Sequence, residues 1–212
     1  MSINLQKGQK IDLTKDGGGL SRIMVGLGWD EAQPVPQQSS GGFLGLFKSQ
    51  PQQQTQDIDC DASAILLNAH GKLYGREAND CCVYFGNLTH FSGAIQHQGD
   101  NLTGVGDGDD EQIMVDLSRV PTDVEKIVFV VNIYDANVRG QHFGMIQNAF
   151  IRLVNLANNS EICKFNLSEN YYGMTGMVVG EIYRYNGEWK FNAIGQPVKE
   201  ASRLQSLLKM YV

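Results

Sequence analysis

Short alternation of apolar and polar positions, rather than helical spacing, dominates this chain. In "SRIMVGLGW" Ile23, Val25 and Leu27 fall on one face, and in "EQIMVDL" Ile113 and Val115 alternate with Met114 and Asp116. Both predict strands buried on one side, because successive side chains of a strand point to opposite faces. "KIVFVVNIY", Lys126 to Tyr134, is nearly continuous and β-branched, the composition of a strand covered on both faces. "ASAILLN", "CVYFG", "AFIRLVNL" and "EICKFNL" read as further strands. "MVVGEIYRY" and "EWKFNAI" flank Asn186-Gly187, and a two-residue Asn-Gly link between alternating runs predicts a hairpin.

About nine strands with little helix between them predict a mainly β chain folded as an antiparallel β-sandwich. Two helices are expected. One is short, over "GQHFGMIQN". The other is a C-terminal amphipathic helix over "KEASRLQSLLKMYV", with Ala201, Leu204, Leu208 and Tyr211 as its apolar stripe. With 212 residues and no internal repeat, the chain reads as a single domain over 1–212. Residues 31–56, rich in Gln, Pro, Ser and Gly, interrupt it as a flexible insert. Within the insert, Phe43, Leu44, Leu46 and Phe47 either dock on the sandwich or offer a contact to a membrane or partner.

Charge changes the picture in one place. The net charge of −6 and the lack of clustered Lys and Arg predict no nucleic-acid partner. The acids cluster instead: "GDNLTGVGDGDDE", Gly99 to Glu111, holds five carboxylates and four glycines without a single cation. At a few ångströms each carboxylate pair repels by about 1 kcal/mol even in water, so a folded cluster calls for a cation. Hard oxygen donors without His or Cys suit Ca²⁺ better than Zn²⁺, and Mg²⁺ is second choice because it favours a rigid octahedron and phosphate ligands. The EF-hand template fails, since a loop starting at Asp107 puts Gln112 where Gly is required and Ser118 where Glu is required. "DIDCDAS" supplies Asp57, Asp59 and Asp61 on one side of a strand, so two acidic loops at one sandwich edge compose a cation site.

Other chemistry is weaker. The four histidines are scattered without H-E-x-x-H, no G-x-S-x-G occurs, and "SLLK" lacks its companion motifs. A non-enzyme is expected, with a metal-dependent hydrolase using the acidic loops as the alternative. The four cysteines, Cys60, Cys81, Cys82 and Cys163, lack C-x-x-C spacing and read as reduced thiols, with one of the vicinal pair buried and the other exposed. A third reading has these thiols trap an oxidant directly. No apolar stretch follows a basic amino terminus and no eighteen apolar residues run together, so a soluble, intracellular protein is expected.

Taken in order, "GLGWD", "DIDCDASAILLN", "GDNLTGVGDGDDEQIMVDLSRVP", "IYDANVRGQHFG", "NAFIRLVN" and "GEIYRYNGEWKFNAIGQ" resemble the TerD family of tellurium-resistance and stress proteins over nearly the whole chain. The resemblance implies a sandwich like a C2 domain that binds calcium through its acidic loops and serves as a binding or scaffold module in tellurite or general stress resistance. It implies ligands at Asp59, Asp61, Asp100, Asn101, Asp107, Asp109, Asp110 and Glu111, with Asp30 and Asp135 in second rank. Two calcium ions are expected, because so many carboxylates exceed what one divalent ion neutralises. Expected partners are other tellurium-resistance or stress proteins, in the cytoplasm or peripherally at the inner face of the membrane. The long insert between Asp30 and Asp57 departs from the family pattern.

Overall fold

The computed structural model describes residues 2–14, 19–31, 58–99 and 108–212, so the insert's apolar residues and Asp57, Asp100, Asn101 and Asp107 lie outside the described residues. The strands are β1 (Ile3–Leu5), β2 (Lys10–Asp12), β3 (Arg22–Glu31), β4 (Cys60–Leu67), β5 (Cys82–Val83), β6 (Ile95–His97), β7 (Glu111–Asp116), β8 (Lys126–Ile133), β9 (Ile146–Asn155), β10 (Ser160–Asn166), β11 (Gly176–Tyr185) and β12 (Glu188–Val198). Short helices α1 (Ala78–Cys81), α2 (Ala136–Arg139) and α3 (Leu204–Leu208) join them. One sheet runs β1-β10-β9-β3-β7-β6 and the other β2-β12-β11-β8-β4-β5. Between described strands all pairs are antiparallel except β1 with β10.

The alternation predicted from sequence builds the core. Ile23, Val25, Leu27, Ile113 and Val115 of the first sheet meet Cys60, Ala62, Ala64, Leu66, Ile127, Phe129 and Val131 of the second. β8 is indeed covered on both sides, because Val128 and Val130 point the other way, under Ala201, Leu204 and Leu207. The β11–β12 hairpin closes through Asn186 and Gly187, both at positive φ (53° and 81°), the backbone that a two-residue turn of this hand requires.

Three expectations change. "GQHFGMIQN" forms only a 3-10 turn at Phe143–Met145, because β3 claims the next residues as a strand, Asp30 pairing with Gln147 and Glu31 with Ile146. The C-terminal helix is shorter than its apolar stripe: Glu200 sits at φ 61° and the Ala201 N–H is held by Thr175 Oγ1 at 2.8 Å, so α3 starts only at Leu204 and buries Leu207 more deeply than Leu208. Cys81 and Cys82 are both buried, since α1 ends and β5 begins between them and strand alternation does not govern the pair.

Candidate functional site

Antiparallel pairing sends one set of strand ends to one end of the sandwich. The end of β3 with Asp30, the start of β4 behind Asp59, the start of β7 at Glu111 and the end of β8 before Asp135 all lie there. The predicted acids that lie among the described residues thus come from four places in the chain to one end of the sandwich.

Glu111 is the innermost. It is 1% exposed, its Oε2 accepts the Ala62 N–H at 2.5 Å, and it thereby ties β7 of one sheet to β4 of the other. His97 Nε2 stands 3.4 Å from the same oxygen. His97 Nδ1 accepts the Gly99 N–H at 3.1 Å. Asp110 lies beside it. Its Oδ2 accepts the Trp29 N–H at 2.7 Å where the β3–β9 register shifts between Gly28 and Asp30, and its own N–H donates to Leu27 O at 2.8 Å. Burial pushes the Asp110 carboxyl above its ordinary range, the Trp29 N–H pulls it back, and the charges of Asp30 and Asp109 push it further up.

Asp109 goes elsewhere. Arg152 grips it through Nε at 2.7 Å and Nη2 at 2.9 Å on the outer face of the first sheet. Gly26 makes the room, since a Cβ there would stand 2.3 Å from the carboxylate. Asp30 accepts from Asn148 Nδ2 at 2.8 Å, and Asp135, at the start of α2, is held by Arg203 at 2.8 Å. Asp61 is on the side of β4 opposite the core-facing Cys60 and Ala62, and Asp59 immediately precedes the strand. Asn132 Nδ2 donates to Asp61 at 2.9 Å, and Arg139 stands 3.6 Å from Asp59.

Four of these acids act on one buried thiol. Burial raises the Cys60 thiol well above its ordinary value, and Glu111, Asp61, Asp59 and Asp110 raise it further, in that order. Asp109, Asp30 and Asp135 are bound to Arg152, Asn148 and Arg203. Among the described residues no group of three or more His, Cys, Asp and Glu converges as the ligands of one ion.

His97 and Arg152 were not singled out from the sequence. His97 is a lone histidine in a three-residue strand, and Arg152 alternates with apolar neighbours as any outward cation does; only the contact reveals either. The other chemistry recedes. His90 is fully buried with its ring nitrogens at Ser92 Oγ (2.7 Å) and Asp80 O (2.9 Å), a structural role. All four cysteines are free and buried, and burial raises each thiol, that of Cys163 to about 12, which disfavours the thiolate that direct oxidant trapping needs. Among the described residues no helix is long and apolar enough to cross a membrane.

Comparison with known proteins agrees with this architecture. A homologue of the telluride resistance protein TerD from Streptomyces coelicolor A3(2) superposes with a TM-score of 0.58 over 86% of this chain and 92% of its own, at 19% identity, which bears on the fold alone. In sequence, the chain is 50% identical to stress response protein SCP2 of Bacillus subtilis (strain 168) over the full length of both. It is 43% identical to tellurium resistance protein TerD of Serratia marcescens, covering 92% of this chain and 91% of that one. Neither name states a reaction. The TerD domain model matches residues 1–211, and the chain belongs to the TerD family.

Proposed function

We propose that this protein is a calcium-binding module of the stress-response and tellurium-resistance system, acting by holding partners rather than by catalysis. The observation that supports the reading is that Asp59, Asp61, Asp110 and Glu111 come from two segments of the chain to the one rim where the Gly99–Glu111 segment enters β7. The donor chemistry fits: carboxylate and amide oxygens gather there, and all four thiols are buried and protonated. Asp59, Asp110 and Glu111 would hold calcium together with Asp100, Asn101 and Asp107 of the intervening segment, and Asp61 borders them. Bound calcium supplies positive charge that lets these carboxylates stay ionised side by side. Glu111 fixes β7 against β4, and Asp110 fixes the end of β3, so the rim is braced before any ion arrives. In this reading the partners are other stress or tellurium-resistance proteins, met in the cytoplasm or at the inner face of the membrane.

Calorimetric titration of the chelator-stripped full chain tests the proposal. Two ions per chain are expected, with Asp59→Asn and Asp107→Asn each weakening binding. Absence of saturable calcium binding would overturn it. At a hundredfold excess over the dissociation constant, calcium should add about 2.7 kcal/mol of stability by mass action.

A further inference from the structure

On the outer face of the first sheet β3 carries glycine at two successive positions, Gly26 and Gly28, next to the cross-strand neighbours Met24, Met114 and Val154. Glycine weakens the interior of a strand and marks a place where other backbone approaches closely. Gly108 and Asp109 are what approaches here. A Cβ on Gly26 would stand 2.3 Å from Asp109 Cγ and Oδ1, and one on Gly28 would stand 2.5 Å from Gly108 O. These two residues therefore lie across the outside of β3, and the chain then turns inward to begin β7 at Glu111.

Arg152 closes this seat. It pairs with Gly26 across the β9–β3 register, and Gln112 pairs with Gly26 from β7, so the Asp109 carboxylate rests on the glycine between two donors. Its Oδ1 accepts from Arg152 Nε at 2.7 Å, and its Oδ2 accepts from Arg152 Nη2 at 2.9 Å and from Gln112 Nε2 at 3.3 Å. The guanidinium is steadied on its other side, where Nη1 stands 3.3 Å from Glu161 Oε2 of β10. The Asp109 side chain is fully buried, and a bidentate pair of this kind fixes direction as well as distance. Immediately after it, the Asp110 N–H donates to Leu27 O at 2.8 Å and the Asp110 carboxylate accepts the Trp29 N–H at 2.7 Å.

We propose that Arg152 is the positioning residue of the rim: by holding Asp109 on Gly26 it sets where Asp110 and Glu111 enter β7, and so governs how tightly the rim takes calcium while touching no ion itself. The consequence for calcium rests on the reading above; the seat itself does not. To use Asp109 as a ligand, an ion would have to displace a guanidinium from a buried carboxylate whose two oxygens are both engaged. Asp109 is therefore an anchor for the acids that follow it. Positioning and plain charge give opposite signs. Arg152 is a cation beside an acidic site, and Coulomb's law alone says that removing it favours a bound cation. Loss of the anchor says the reverse, because groups that hold metal ligands in place typically contribute about ten- to a hundredfold in affinity.

Calorimetric calcium titration and amide hydrogen exchange on the full chain test the assignment. Arg152→Ala should bind calcium about tenfold more weakly, and Arg152→Lys, which keeps the charge but not the planar fork, about threefold more weakly. In chelator the Asp110 and Trp29 amides of Arg152→Ala should exchange faster than in the native chain, while that of Val115 in mid-β7 keeps its native rate; a general loss of stability would speed all three alike. With Arg152→Ala and Asp109→Ala combined, affinity should fall little below that of Arg152→Ala, since the two residues act as one unit. Should Arg152→Ala fail to fold, Arg152→Lys decides by the same two readings. Calcium affinity that stays the same or rises in the folded variants, exchange that speeds uniformly, or a further loss of about tenfold on adding Asp109→Ala each overturns the proposal. If the native chain binds no calcium, the calcium reading alone fails, and the exchange pattern still decides whether Arg152 sets the rim.

Discussion

The two ends of the sandwich satisfy their charges in opposite ways. At one end Arg184 donates through Nε to Val124 O at 3.0 Å and through Nη2 to Val120 O at 3.2 Å and Pro121 O at 3.3 Å, and its guanidinium lies 4.1 Å from the centre of the Trp189 ring. Lys126 pairs with Glu181 at 2.8 Å nearby. At the other end the buried charges are carboxylates, and the groups that reach them include the backbone N–H groups of Trp29 and Ala62, the Asn132 amide and the Arg152 guanidinium. A guanidinium has its donors in one planar fork, so three carbonyls and a ring complete it locally. Each carboxylate has room for several donors and gathers them from separate strands. The first end is a clasp closed by one cation; the second is a cluster of carboxylates held by donors from several strands.

The largest test of this contrast is Arg184→Ala. Losing its charged hydrogen bonds and ring contact should cost about 3 kcal/mol in denaturant unfolding, to the same extent in calcium and in chelator. A cost that changed with calcium would mean that the two ends are coupled. Glu111→Ala comes next: it leaves the Ala62 N–H buried without its acceptor, a loss of about 1–3 kcal/mol measured in chelator. Glu111→Gln keeps an oxygen for that N–H and should lose less stability while still weakening calcium binding.

Between the ends, His90 provides a pH test that involves neither. Burial lowers its pKa from 6.5, and the Asp80 carbonyl and charge oppose this only in part. The folded state therefore binds this proton less readily than the unfolded chain. Its contribution to stability is complete above pH 6.5 and is lost as pH falls through the depressed folded value. Unfolding midpoints at pH 8 and pH 5.5 should differ more for the native chain than for His90→Gln, and equal differences would assign the slope to other groups. The smallest effect is expected at Asp123→Asn, an exposed turn residue after Pro121. Its stability should stay within about 0.5 kcal/mol of the parent and calcium binding should not change. A drop in affinity comparable to that of Asp59→Asn would mean that net charge, rather than the rim, attracts the ion.

Much of the fold was legible in the chain. Period-two alternation is a local signal, so Ile23, Val25 and Leu27 could be assigned to a core face without knowing what they face. Asn186-Gly187 marked its hairpin because few other dipeptides adopt positive φ twice. The three-residue strands β1, β2 and β6 escaped, being too short to display a period; pairing with longer neighbours makes them strands. For the site, the acids could be seen and their gathering at one rim expected. Their division could not, because Asp109 and Glu111 are two residues apart in sequence yet belong to opposite faces of one sheet.

The sequence by itself determined the sandwich, the buried faces of its long strands and the concentration of carboxylate in two segments, all of which follow from side-chain type repeated at short range. Tertiary structure alone decided which acid meets which partner: Arg152 reaches Asp109 because β9 and β7 flank β3, and Ala62 reaches Glu111 because β4 packs across from β7. It also decided that Gly26 seats Asp109, since they lie 83 positions apart and meet only through the pairing of β3 with β7. Local pattern fixes what a strand buries, whereas the chemistry of a site depends on neighbours that only long-range pairing supplies.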